Sequence, residues 1–194
     1  MKNRILNTLL FCFIGLIGFS QTKTENSFLQ IPKNWTYEKI EFPLGFATDI
    51  TYDGFEELRF SPEMFKLNKE HYFTYIFALV LEGNPVFEEK ELTDFLEKYY
   101  KGLADAVARG KEQKIDLNEI KIRLINKEGG SFVYEIDFLD TFTNGQKIQL
   151  KMEIEVYTKK KEKVVLALVS ANESEKVWKE LYGYKKEIEA NLHR

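Results

Sequence analysis

The chain has 194 residues, with 28 lysines and arginines against 31 aspartates and glutamates, for a net charge of −3. That length accommodates one domain with a sizeable core. The mild acidity excludes nucleic acid and anionic membrane as main partners, because both demand clustered cations. One cysteine, Cys12, and two histidines, His71 and His193, are too few for a closed zinc site.

In chain order, Lys2 and Arg4 precede an apolar run from Ile5 to Phe19, and Gly18-Phe19-Ser20 places small residues ahead of Gln21. Charge, apolar stretch and small-residue exit in that order predict a secretory signal peptide over residues 1–20, cleaved after Ser20. The run is interrupted by Gly15 and Gly18 and falls short of the ~20 apolar residues that span a bilayer. No later stretch is long enough either, so no integral membrane segment is expected after cleavage. Cys12 sits in the middle of the run, where a lipid-attachment cysteine would close it. Loss of Lys2, Arg4 and Cys12 leaves a chain of net charge −5 without a thiol. A cysteine-free exported domain fits bacterial export, periplasmic or secreted, better than a disulfide-stapled one.

Residues 21–30 read as a flexible lead-in and 31–194 as a single domain. All four prolines (Pro32, Pro43, Pro62, Pro85) fall in the first half, which predicts loops and short or edge strands there. Residues 37–42 alternate as a strand, residues 55–60 form a second, and 72–81 a third. The last is apolar at both parities, with Phe73, Tyr75, Phe77 and Leu79 against Ile76, Ala78 and Val80, so it needs cover on both faces. From Phe87 the period becomes helical. Leu92, Phe95, Leu96, Tyr99, Leu103 and Val107 form one stripe over a helix at 88–109, with Tyr100 beside it.

A four-strand antiparallel meander follows. Ile120, Ile122 and Leu124 alternate with Lys121 and Arg123, and Gly129-Gly130 turns the chain into the row Phe132, Tyr134, Ile136, Phe138. Asn144-Gly145 then supplies the positive φ values of a tight hairpin. Ile148, Leu150, Met152, Ile154 and Val156 keep strict period two, and residues 164–169 are continuously apolar. Asn172 and Glu175, or Ser170 and Glu173, have capping-box spacing before a helix at 173–190. The expected class is therefore α+β: an antiparallel sheet of six to seven strands with two helices packed on it. A cystatin-like α+β arrangement is the alternative.

Chemistry-bearing patterns are few. No Gly-x-Ser-x-Gly elbow and no phosphate-binding glycine loop occurs. Asp49, Thr51, Asp53 and Gly54 match positions one, three, five and six of a calcium loop, but position twelve is Phe60 instead of a glutamate. Glu56 or Glu57 in its place would make an oxygen-only Ca²⁺ site of Asp49, Asp53, Glu56 and Glu57, or the acids of a hydrolase. Aromatic residues crowd residues 42–75. Tyr52, Phe55, Phe60, Phe65 and Tyr72 are the candidates there for contact with a protein partner or small ligand.

The run Ile31-Pro32-Lys33-Asn34-Trp35 ahead of a strand resembles the Pro-x-x-Trp segment of PsbP-like domains, whose antiparallel sheet with helices on both faces is also similar to the order above. The resemblance implies a non-catalytic accessory role and carries over no functional residue. Residues 42–65 have no counterpart in that family. The expectation is an exported, soluble binding or accessory protein without a cofactor, the Ca²⁺-binding or hydrolase reading being the alternative.

Overall fold

The computed structural model describes residues 27–192. The leader expected over residues 1–20, most of the lead-in and His193 lie outside them. Seven strands form one antiparallel sheet: β1 (Thr36–Glu41), β2 (Gly54–Phe60), β3 (Tyr75–Glu82), β4 (Lys121–Glu128), β5 (Ser131–Leu139), β6 (Lys147–Lys159) and β7 (Glu162–Ser170). Helix α1 (Glu89–Gly110) joins β3 to β4, and α2 (Glu175–Leu192) follows β7. The class is α+β, as the sequence pattern predicts.

The strands lie in the order β1-β2-β3-β7-β6-β5-β4. Two meanders, β1–β3 and β4–β7, are thus joined by the antiparallel pair β3 and β7, with Phe77 opposite Ala167 and Leu79 opposite Val165. From β3 the chain must reach β4 at the far edge, four strands away, or ~19 Å at ~4.8 Å per strand. The 22 residues of α1 extend ~33 Å and carry it there across one face. Glu89 and Glu91 occupy the first turn of α1, where its dipole favours anions, and the Glu91 carboxylate accepts a 3.3 Å hydrogen bond from the Glu88 N–H.

Each strand parity has its own core. Phe77 and Leu79 of β3, Val165 and Ala167 of β7 and Met152 and Ile154 of β6 pack beneath Leu92, Phe95, Leu96 and Tyr99 of α1. On the opposite face Ile76, Ala78, Leu166 and Leu168 pack against Val177, Trp178, Leu181 and Ile188 of α2, together with Leu29 and Trp35. The two strands apolar at both parities are the two covered on both faces. Beyond α2, the outer face of β4, β5 and β6 is polar: Arg123 forms a bidentate pair with Asp137, and Lys151 lies 4.1 Å from the Trp178 ring centre.

The lead-in joins this body earlier than the composition suggests. Leu29 is fully buried, and both its backbone groups are bonded to charged side chains of β2. Its N–H donates to Glu57 Oε2 at 2.7 Å, and its carbonyl accepts from Arg59 Nε at 2.9 Å. Trp35, the aromatic of the Pro-x-x-Trp segment, is a core residue stacked edge-on against Tyr184 at 5.6 Å.

Other boundaries depart from the sequence pattern for local reasons. β3 begins at Tyr75 instead of Tyr72, because Phe73 adopts a left-handed backbone (φ 47°) that puts its ring in the core at 2% exposure. Such a φ costs on the order of 1 kcal/mol in a bulky residue, which burial of the ring offsets. Between β5 and β6 the chain makes a seven-residue loop, 140–146, and only Gly145 of the Asn144-Gly145 pair has positive φ. Asp140 dictates that loop: it is fully buried and accepts hydrogen bonds from the N–H groups of Phe142 and Thr143 at 3.1 and 3.0 Å. Helix α2 begins at Glu175 after Asn172 Oδ1 accepts from the Ser174 N–H at 2.9 Å, so Asn172 forms a turn before the helix and does not cap it.

α1 sits unusually close to the segment linking β1 and β2. A Cβ on Gly102 would stand 2.3 Å from the Phe46 carbonyl oxygen. Helix propensity alone would make Gly102→Ala stabilising by ~1 kcal/mol. The clash reverses the sign, and the variant should lose ~1–3 kcal/mol in a urea melt; a gain would show that the segment does not pack there.

Candidate functional site

The four acids of the expected Ca²⁺ site do not converge. Asp49 and Asp53 are exposed in the loop ahead of β2, whereas Glu56 and Glu57 are 0% and 1% exposed. Being adjacent in a strand, Glu56 and Glu57 point to opposite faces of the sheet. Glu57 is used up on the Leu29 N–H, and Glu56 faces α1. Among the described residues no group of three or more His, Cys, Asp or Glu is placed to hold a metal ion. The calcium-loop spacing fails because residues 54–60 are strand, so period two separates ligands that a loop would gather.

The five aromatic candidates are also dispersed. Phe55 lies on the outer face beneath Lys39, whose Nζ is 3.9 Å from the ring centre. Tyr52 packs on Phe87 and Phe95 at ring separations of 5.4 and 6.3 Å, beside the first turns of α1. Phe60, Phe65 and Tyr72 share a different place, the end of the α1 face where β3 starts. There the loop 61–74 meets the loop 140–146. The Tyr72 hydroxyl donates to Asp140, and Phe65 stacks on Phe142 at 5.2 Å with the rings 28° apart. Lys111, just beyond α1, holds the second loop through its bond to the Thr141 carbonyl at 2.9 Å.

Between these loops, α1 and the sheet lies a cleft of about 30 Å³. Leu58 and Phe60 of β2, Tyr75 of β3 and Tyr99, Tyr100 and Leu103 of α1 form its walls. Phe65, 41% exposed, stands with Phe142 at the rim, and Glu38 of β1 is the one charged lining residue. By volume the cleft takes roughly two waters or the last few carbons of a linear chain.

Several of these residues escape sequence reasoning. Tyr100, expected beside the buried stripe of α1, is 1% exposed and bonds hydroxyl to hydroxyl with Tyr75 at 2.5 Å. Phe142 sits in a loop whose pairing with 61–74 is set by tertiary contacts. Glu38 alternates within an ordinary edge strand. The adjacent tyrosines of α1 are the single local signal, since two phenols on a buried helical face need partners.

One partner is Glu56. The Tyr99 hydroxyl donates to its Oε1 at 2.8 Å, while Oε2 is buried with no hydrogen-bond partner. Burial pushes this carboxyl up to about 8; the Tyr99 bond pulls it down, and the charge of Glu38 adds a further rise. The Tyr99 and Tyr100 phenols are raised well above their usual range, chiefly by burial. Elsewhere, His71 lies in the loop before β3 at the junction with α2. Its Nε2 is 3.4 Å from the Glu180 carboxylate and its Nδ1 is buried without a partner.

Compared with known protein families, with characterised proteins and with solved structures, the chain gave no match. Among the described residues no helix is long and apolar enough to cross a membrane.

The buried carboxyl has a signature in stability. A folded-state value of about 8 against an ordinary 4.5 means that the native state keeps a proton the unfolded chain has released. Stability therefore falls as pH rises from 4.5 through 8 and levels off above it. Glu56→Gln should remove most of that slope and be more stable than the parent at alkaline pH, by on the order of a few kcal/mol. Parallel urea melts across this range check it, and parallel pH profiles for the two proteins would refute it.

Proposed function

We propose that the protein is exported by way of its N-terminal leader and works as a non-catalytic binding or accessory protein. On this reading it receives an apolar group of a small ligand or partner in the aromatic cleft. The observation that carries the reading is the cleft itself: a narrow, ring-lined slot whose rim residues, Phe65 and Phe142, are held in place by the Tyr72–Asp140 bond between two loops. Aromatic walls with a few fixed polar groups are the usual composition of a binding site. Loops anchored by buried hydrogen bonds keep such a site formed before its occupant arrives, which lowers the ordering cost of binding.

The expected partner surface thus contracts. Phe60, Phe65 and Tyr72 belong to it, while Tyr52 and Phe55 serve the packing of α1 and β1. The Pro-x-x-Trp segment supports an accessory role only by resemblance, since its tryptophan is spent on the core under α2.

A direct test is NMR titration of the purified protein with a short linear alcohol, n-butanol. Saturable shifts confined to Phe60, Tyr75 and Phe142 are expected, and Phe65→Ala should weaken them roughly fivefold by opening one wall, the loss of about 1 kcal/mol of contact. Shifts that fail to saturate, or that scatter over the surface, would count against a formed cleft.

A further inference from the structure

The charge of the cleft identifies its occupant more closely than its shape does. Its lining contains Glu38 and no lysine or arginine. Glu38 has no ion-pair partner among the described residues, although Lys39 beside it in sequence pairs with Glu41 at 2.9 Å on the other side of β1. Glu56 stands one step further in, joined to the cleft wall through Tyr99, and its Oε2 is buried without a partner. One acid, Glu38, therefore lines the small aromatic space with no cation to balance it, and a second, Glu56, lies behind its Tyr99 wall. Burial raises the Glu38 carboxyl above its ordinary range, which is the effect of removing a carboxylate from water without supplying a counter-charge.

Other acids that are withdrawn from water have compensating groups. Asp137 has Arg123, Glu155 has Lys185, Glu57 has the Leu29 N–H and Asp140 has two N–H donors of its own loop. Of the three fully buried acids among the described residues, the one left half-paired, Glu56, is the one behind the wall of the aromatic cleft. Ring faces carry negative quadrupole potential and attract a cation placed over them, most strongly when it is desolvated. The walls offer Phe60, Tyr75 and Tyr99 for that role, and Phe65 and Phe142 at the rim.

We propose that the cleft binds a small organic cation, a linear alkylammonium group whose hydrocarbon end lies among the rings and whose nitrogen pairs with Glu38. This deepens the binding reading above and rests on it. A fatty carboxylate is the opposite choice, and Glu38 would repel it. The end of a partner's lysine side chain carries the same butylammonium chemistry, and the titration below uses the free ion.

The experiment compares three ligands of one chain length, n-butylammonium, n-butanol and butyrate, by NMR titration at mildly alkaline pH and moderate salt. The ammonium ion should bind about tenfold more tightly than the alcohol, a cation over rings beside a desolvated carboxylate being favoured by that order. Butyrate should bind least. Glu38→Gln should bring the ammonium and alcohol affinities together, chiefly by weakening that of the ammonium ion. Equal affinities in the parent, or tightest binding of butyrate, would overturn the cation and leave the apolar cleft standing. Saturable binding of none of the three would overturn both.

Discussion

The pairing of β3 with β7 is the constraint on which the remainder of the molecule depends. These strands bring together two meanders distant in the chain, and both are apolar at both parities. A sheet centre of that kind is unstable in water unless both faces are covered. One cover is α1, which is more than long enough to carry the chain from the centre of the sheet to its far edge. The other is α2, reinforced by Leu29 and Trp35 from the N-terminal segment. The cleft lies at the edge of this arrangement, between α1, strands β2 and β3 and the loops 61–74 and 140–146.

How far this was legible in the sequence follows from what each signal reports. Period two across residues 131–159 fixed the register of the meander, because one slipped residue would have turned Met152 and Ile154 outward in exchange for Lys151 and Glu153. The stripe of α1 was equally plain. Failure came where a residue's role depends on something distant in the chain. Glu56 and Glu57 look like one acidic cluster in one dimension, and the strand sends them to opposite sides of the protein. Tyr72 looks like the first residue of a strand until Phe73 is pulled into the core and the chain turns left-handed. Phe142, half of the cleft's rim, has no local signature at all.

Three buried acids show why satisfaction discriminates better than burial. Glu57, Asp140 and Glu56 are each fully or almost fully excluded from solvent. Glu57 and Asp140 bond to backbone donors and thereby fasten a segment: the first anchors Leu29, the second shapes the loop carrying Phe142. Their desolvation is compensated by charge-assisted hydrogen bonds. Glu56 has one donor for two oxygens and remains without ionic compensation. Buried polar groups in folded proteins are nearly always paired, so a half-paired carboxyl is anomalous in a way that a buried one is not.

That anomaly has a cheap physical resolution, which is protonation. A neutral Glu56 loses far less on burial than an ionised one, and its elevated titration follows from the same cause. Protonation resolves the charge but not the geometry, since the acid proton on Oε2 would itself lack an acceptor. A leucine or methionine at this position would complete the core at lower cost, because replacing a buried polar group by an apolar one of similar volume is often neutral or stabilising. The sheet supplies such residues on either side, in Leu58 and Leu79. A carboxyl retained among them, hydrogen-bonded to Tyr99 in the wall of the aromatic cleft, is the position among the described residues where local packing logic and the residue present disagree most.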